Sequence, residues 1–397
     1  VTGLEPGTNY IYKVGDGTNW SPTREFTTTS DVNKFFFSAY GDLQATGSAD
    51  MALWIAAGET IESMEQKPFF SLNVGDIVDN DNNWAYHAHY SSLFDQRAGF
   101  ANIDMVATYG NHEYMGTPNA DIIKFLNGHH YIEPSSKYNI DAVGDGTYAS
   151  VYGNMIVISL DWESKGAGFT ALQRQTEQVK WLDEVLTAHV DKTWKVVTLH
   201  YEVPNTGFTS TSLATLGPVF DKHDVQIVFS GHGHTFRRVQ IKNSVWTPSN
   251  YSRTATPVFG AGTMYWQLGG MRPSDGNSQR WVLGEVDGNT IKFTVRNGSN
   301  AIVENECFTL TTVESAPNDV NSVNGNSNIK VYPNSFTDAL NISGAENSTL
   351  QVMDITGSRV YQQRINDNNE VVNLKSLVPG IYFFHIEKDK LVKIVKV

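Results

Sequence analysis

Six short apolar runs set the framework of this chain: KFFFSAY (34–40), FFSLNV (69–74), DMVATY (104–109), MIVISL (155–160), WKVVTL (194–199) and VQIVFS (225–230). Each carries apolar residues at consecutive rather than alternate positions, the pattern of a strand covered on both faces. Amphipathic stretches separate several of them. In ALQRQTEQVKWLDEVLTAHV, residues 171–190, Leu172, Val179, Leu182, Val185 and Leu186 fall on one helical face. Buried strands alternating with helices make an α/β layered domain. The segment GEVDGNTIKFTVRNG closes that domain with a hairpin turning at Asp-Gly or a neighbour.

Five of the runs stop at residues able to bind a metal. The first leads to Asp42 and Gln44, the second to Asp76 and Asp79, and the third to Asn111, His112 and Glu113. The fifth leads to His200, and the sixth to His232 and His234. Ligands of open α/β sheets sit beyond the carboxyl ends of the strands, which is where every one of these sets falls. A single Gly-Asp after a strand is ordinarily a turn, and a single strand-end histidine ordinarily a core or capping residue. Five strands delivering Asp, Asn and His to one edge is a different matter. The oxygen and imidazole donors, with no thiolate among them, suit Zn, Mn or Fe.

The flanks differ from this core. Residues 1–30 carry the alternating strand NYIYKV, a Gly-Asp-Gly turn and a second strand at REFTT, as in the last part of a fibronectin-type-III-like sandwich. The chain opens at Val1 inside that pattern and reads as N-terminally incomplete. The catalytic-type region runs over 34–312. Residues 313–328, VESAPNDVNSVNGNSN, have the composition of a linker. Residues 329–397 are short strands broken by turn residues every eight to twelve positions, the mark of a small all-β sandwich.

Composition narrows the partners. The 397 residues carry a formal net charge of −13, which disfavours nonspecific binding to nucleic acid. A phosphate substrate stays open, because bound metal reverses the local sign. The single cysteine, Cys307, allows no intrachain disulfide. No transmembrane run is present. Secondary candidates have ordinary readings beside the functional one. Arg237 and Arg238 follow the last block and either touch substrate phosphate or sit as strand-end surface charges. His87 and His89 read as a solvated helix face. His129 and His130 lie in a loop that either overhangs the site and shapes specificity or plays no part in it. The sequons at Asn297, Asn341 and Asn347 carry little weight, and the aromatics of YEVPNTGF and TMYWQLGG read first as core packing, with a pocket wall as the alternative.

The ordered blocks GD, GD, GNHE, H and GHGH, with WLDEVL between the third and fourth and VTGLEPGTNYIYKVGDG ahead of them, resemble the calcineurin-like metallophosphoesterases, and within them the purple acid phosphatases. The resemblance covers about residues 1–312. It implies a four-layer α/β/β/α sandwich and a pair of divalent or mixed-valence ions, Zn, Mn or Fe. Asp76 would bridge them, with Asp42 and His234 completing one site and Asn111, His200 and His232 the other. Two such ions, about 3.5–4 Å apart, would activate a water and clamp an in-line displacement at phosphorus. The implied function is hydrolysis of phosphate monoesters on small phosphorylated molecules by metal-bound hydroxide. Phosphodiesterase or nucleotide hydrolase is the alternative on the same scaffold, and a silent adhesion protein the alternative of another class. His112 would be a catalytic non-ligand that stabilises the transition state or protonates the leaving oxygen. Glu113 would orient an imidazole from outside the ligand shell.

Two positions depart from the pattern. Asp79 stands where the purple branch has its iron-binding tyrosine, so a colourless divalent pair is expected. Gln44 stands where the wider family often has a histidine ligand, and an amide oxygen is a weaker donor. The tail, with VYPNSF, DITGSRV, LVPGIYFFHI and KLVKIVKV, resembles the C-terminal sorting domain of the type IX secretion system of Bacteroidetes. That implies outer-membrane export through the secretion machinery, to a secreted or surface-attached form. A carbohydrate-binding or adhesive sandwich is the plain alternative.

Overall fold

The computed structural model describes residues 3–28, 33–79, 98–114, 137–144, 146–162, 168–203, 210–243, 250–312, 329–332, 335–336, 338–354, 358–386 and 390–396. The chain divides into two compact units, Val1–Thr311 and Thr312–Val397. The linker reading at 313–328 lies outside the described residues.

The first unit opens with the antiparallel hairpin β1 (Asn9–Tyr12) and β2 (Arg24–Thr27). Tyr10 pairs with Phe26 across it, their rings stacked 5.7 Å apart. The next strands are β3 (Lys34–Tyr40), β4 (Pro68–Asn73), β5 (Asp104–Ala107), β6 (Tyr148–Tyr152), β7 (Met155–Ser159), β8 (Trp194–Thr198) and β9 (Ile227–Ser230). Then come β10 (Arg237–Ile241), β11 (Thr263–Gln267), β12 (Arg280–Asp287), β13 (Thr290–Asn297) and β14 (Phe308–Thr311). They form two six-stranded sheets, ordered β14-β13-β12-β3-β4-β5 and β10-β11-β9-β8-β7-β6. Within them β3, β4 and β5 run parallel, as do β7, β8, β9 and β11. The closing hairpin turns at Gly288, whose φ of 54° belongs to the left-handed region.

Why the runs are apolar throughout is visible in β7. Met155 and Val157 point into a core between the two sheets, beside Phe37, Phe70, Val196, Phe229 and Trp266. Ile156 and Ile158 point the other way, against Trp181, Leu182, Leu186, Leu216 and Phe220 of the helices Ala171–Ala188 and Ser210–Lys222. On the far face of the first sheet Tyr40 and Leu43 cluster with Trp54, Ala57 and Ile61 of the helix Ala52–Ser63. The layers are helix, sheet, sheet, helix, as the family resemblance implies.

The helix Ala171–Ala188 begins at a capping box: Thr170 Oγ1 accepts from the Gln173 amide at 3.2 Å, and Gln173 Oε1 accepts from the Thr170 amide at 2.8 Å. Its buried face is not quite the expected one. Arg174, Gln178, Trp181, Leu182 and Leu186 are buried and Val179 and Val185 partly so, while Leu172 is 73% exposed. The stripe's geometry was right, but its first turn projects past the edge of the sheet.

The second unit has its own core, which includes Ile342, Leu350, Val352, Val372 and Phe384. One sheet orders β15 (Lys330–Tyr332), β17 (Ala339–Ser343) and β20 (Asn369–Asn373). The other joins β16 (Ser335–Phe336), β22 (Lys390–Lys396), β21 (Gly380–Ile386), β18 (Thr349–Met353) and β19 (Arg359–Arg364), in that order. This is a small all-β unit. Among the described residues no helix is long and apolar enough to cross a membrane.

Candidate metal centre

The blocks sit on five loops at the carboxyl ends of β3, β4, β5, β8 and β9. The loops are stitched to one another before any side chain is considered. Asp42 N–H donates to Gly75 O (3.1 Å), Gln44 N–H to Asp76 O (2.8 Å), and Gly231 N–H to His200 O (2.8 Å). Side chains add further ties: His232 N–H donates to Asp42 Oδ1 (2.8 Å), and His112 N–H to Asp76 Oδ1 (2.9 Å).

Five of the nine described non-glycine residues with positive φ belong to the candidate set: Asp42 (50°), Gln44 (41°), Asp76 (55°), His232 (65°) and His234 (47°). Left-handed backbone costs such residues roughly 1–3 kcal/mol each, and it collects where function over-determines geometry. In the GHGH turn the histidines, not the glycines, take the left-handed conformation. The glycines supply space, since a Cβ on Gly231 would lie 2.4 Å from Asp42 Oδ2, and one on Gly233 would lie 2.2 Å from both Glu202 Oε1 and Gln267 Nε2.

The side chains form two groups. Asp76, Asn111, His200 and His232 make the first. His200 Nε2 lies 3.3 Å from Asp76 Oδ2 and 3.2 Å from Asn111 Oδ1, and His232 Nδ1 lies 2.8 Å from the same Asn111 oxygen. Ligand atoms of Asp76, His200 and His232 all fall within 4.8 Å of one another. His200 Nδ1–H donates to Val74 O at 2.8 Å, which turns Nε2 inward. The Tyr201 ring lies 4.1 Å from that of His232. The second group is Asp42 and His234, with His234 Nε2 3.5 Å from Asp42 Oδ1. His234 Nδ1–H donates to Asp275 Oδ1 at 2.6 Å.

These residues fit a divalent cation. Asp42 is fully buried, and its Oδ2 has no hydrogen-bond partner. A buried carboxylate oxygen in that state carries a large desolvation cost unless a cation or a proton meets it. With protein groups alone around it, burial pushes the Asp42 carboxyl up to about 7. Burial also acts to raise Asp76, but the charges of His200 and His112 hold it well below the usual carboxylate range. His200 is pulled down by burial and raised more strongly by Asp76 and Asp42, reaching about 10. His232 is lowered by burial and by the neighbouring His200. His234 is raised, first by its hydrogen bond to Asp275.

His112 stands beside this set, its Nε2 3.7 Å from Asp76 Oδ2. Its Nδ1–H donates to the Asp79 carbonyl. Gln44 bridges the remaining gap: its Nε2 lies 3.2 Å from Asp76 Oδ2 and 2.9 Å from His112 Nε2, while its Oε1 is buried with no hydrogen-bond partner. The Asp79 carboxylate turns to Arg272 Nη1 at 3.4 Å, so Asp79 meets His112 through its backbone carbonyl only.

Two expectations are corrected. Glu113 orients no imidazole. Its buried carboxylate accepts three backbone amides, from Gly110 (2.7 Å), Ile77 (2.8 Å) and Asp76 (2.9 Å), and so clamps the second block to the third. Arg238 cannot touch substrate. It is 1% exposed, its Nε–H donates to Ala255 O at 2.6 Å, and its guanidinium lies over Trp266 and Phe308. Arg237 is half-buried over Tyr251, its Nε–H donating to Gln267 Oε1 at 2.6 Å. The aromatics of TMYWQLGG pack in the core. His87, His89, His129 and His130 lie outside the described residues. Tyr201 of YEVPNTGF is half-buried against His232 rather than packed in the core. Asp275, Arg272 and Glu202 were not singled out from sequence. The hint for the first two was that TMYWQL is itself an apolar run ending in glycines.

Residues 36–236 match the calcineurin-like phosphoesterase family, residues 1–28 the purple acid phosphatase N-terminal domain, and residues 330–397 the secretion system C-terminal sorting domain. The chain belongs to the calcineurin-like phosphoesterase family. Its sorting domain marks it as secreted or attached to the cell surface. The fold is shared with the purple acid phosphatase PPD1 from seeds of yellow lupin (Lupinus luteus), at 15% identity and a TM-score of 0.55 over 78% of this chain. The chain spans 60% of the lupin protein's length. A dimetal phosphatase from Danio rerio is 16% identical over 70% of this chain and 98% of its own, with a TM-score of 0.46. GAP50, the anchor in the inner membrane complex of Plasmodium, is 12% identical over 71% of this chain and 90% of its own, with a TM-score of 0.49.

Proposed function

We propose that this protein is a secreted phosphomonoesterase that works with two divalent ions. The observation that carries the reading is the convergence of Asp42, Asp76, Asn111, His200, His232 and His234 from five strand ends into two groups at one sheet edge, with a buried Asp42 oxygen left unpaired. Asp42, Asp76 and His234 would hold one ion, and Asp76, Asn111, His200 and His232 the other. Bound there, Zn, Mn or Fe(II) supplies Lewis-acid charge to phosphoryl oxygens and makes water acidic enough to act as a nucleophile near neutral pH.

The chain's own groups do the rest. Val74 O fixes the His200 ring, and Tyr201 lies against His232. Glu113 holds the backbone on either side of Asp76 at a set distance from Asn111. His112 donates a hydrogen bond from Nδ1–H to the Asp79 carbonyl, which leaves Nε2 on the Asp76 side. With Nε2 protonated as well, in the imidazolium form, it is the group we assign to the leaving oxygen, as transition-state donor. Asp79 in place of a tyrosine supports a colourless divalent pair. Residues 329–397 would engage the type IX machinery and take no part in hydrolysis.

The test is hydrolysis of para-nitrophenyl phosphate beside its bis-ester, with Zn, Mn or Fe and with chelator. Faster monoester cleavage, abolished by chelator and by Asn111→Ala or His200→Ala, is the expected result. Preference for the bis-ester would make the protein a phosphodiesterase. No cleavage of either would favour an adhesive role. Deleting 329–397 should stop secretion in a native host and spare hydrolysis.

A further inference from the structure

We propose that Asp275 is a positioning residue for His234, and that the loop after β11 is a sixth block of the metal centre. The proposal rests on the two-ion reading above. Residues 268–278 lie outside all three matched segments, which cover 1–28, 36–236 and 330–397.

Topology brings the loop to the site. The strand β11 runs parallel to β9, with Gln267 opposite Ser230. Both strands therefore release their chains at the same sheet edge, and the residues after Gln267 emerge beside the GHGH turn. Leu268 N–H donates to Ser230 O at 2.7 Å, and Met271 N–H to Asp42 O at 3.3 Å. The loop is thus tied both to the end of β9 and to the backbone of a ligand.

The Asp275 carboxylate is held at both oxygens. Oδ2 accepts the Arg272 amide at 2.8 Å, and Oδ1 accepts His234 Nδ1–H at 2.6 Å. Its side chain is 4% exposed. Gly270 makes room for it, since a Cβ there would lie 2.1 Å from Asp275 Oδ2. A carboxylate so placed fixes one tautomer and one ring orientation. The proton stays on Nδ1, and the Nε2 lone pair faces Asp42. Without it the ring is free to turn over or to carry its proton on Nε2, and neither state can ligate an ion beside Asp42.

The experiment uses the full chain. Asp275→Ala and Asp275→Asn remove the carboxylate. Gly270→Ala leaves Asp275 in the sequence and displaces its side chain. Two readouts apply: calorimetric titration with Zn or Mn alone, and the tautomer of His234 from histidine ring nitrogen shifts in chelator, assigned with His234→Asn. Wild type should show a single Nδ1–H tautomer. In Asp275→Ala and Gly270→Ala the tautomers should mix, and one of two binding events should weaken about 10- to 100-fold while the other is unchanged. Should Asp275→Ala fail to fold, Asp275→Asn and Gly270→Ala decide the matter. Variants that bind both ions like wild type and keep the tautomer overturn the proposal. A wild type that binds no ion sinks the metal reading, and the tautomer readout still decides the role of Asp275.

Discussion

Glu113 offers a test in which the structure sets the size of the effect. One buried carboxylate accepts the amides of Gly110, Asp76 and Ile77, at 2.7, 2.9 and 2.8 Å. Leaving a buried N–H without an acceptor costs about 1–3 kcal/mol. Glu113→Ala strands all three, so it should destabilise the first unit by about 3 kcal/mol or more. Glu113→Gln keeps one oxygen for the Asp76 and Gly110 amides, and sets its NH2 against that of Ile77. Its cost should be one such group, about 1–3 kcal/mol. At about 2–4 °C per kcal/mol for a large domain, Ala lowers Tm by about 6–12 °C, and Gln by less. Differential scanning calorimetry in chelator reads this. The sorting unit, with its separate core, should melt unshifted as an internal control. An Ala variant within about 1 °C of wild type, or a Gln variant worse than Ala, would refute the clamp.

Other outcomes rest on the same contacts. The chelated first unit should lose stability as pH rises. Asp42 and Glu113 are raised to about 7 from ordinary values of 3.8 and 4.5, and His200 to about 10 from 6.5. All three hold more protons folded than unfolded in those windows, so Tm in chelator should fall from about pH 4 to about pH 10; a Tm that climbs across that range contradicts these environments. Ion binding needs an ionised Asp42 and a neutral His234, so affinity at their site should fall as pH drops, by about tenfold or more per pH unit below 7, read by titration calorimetry. Purified protein loaded with iron should show no strong visible charge-transfer band, because Asp79 occupies the tyrosine position. Arg238→Ala should lower Tm through lost packing and leave KM for a phosphate ester unchanged; a raised KM at wild-type stability would return Arg238 to the substrate.

Much of the fold was legible because both faces of the central strands are covered. That condition writes an unbroken apolar run into the sequence, and a run's end marks where a loop must face the sheet edge. The ligand candidates were legible for the same reason. What sequence hid was direction within a turn or strand. Arg237 and Arg238 are neighbours, yet on β10 they point to opposite faces, and Arg238 is drawn under Trp266. Glu113 adjoins two candidate site residues in sequence, but three converging amides claim its carboxylate. Asp275 lies 41 positions from His234, and only the pairing of β11 with β9 joins them. In GHGH the glycines are not the residues with left-handed backbone. The strained residues are the histidines, whose left-handed backbone sends one ring to Asn111 and the other to Asp42.

The central claim is that two ions share Asp76. Elemental analysis after equilibration with Zn or Mn and removal of free metal tests it most directly, across wild type, Asp42→Ala, Asn111→Ala and Asp76→Ala. The account predicts two ions per chain in wild type, one in each of the Asp42 and Asn111 variants, and fewer than one in the Asp76 variant. A wild type holding one ion or none, or an Asp76→Ala variant that keeps both, would contradict it.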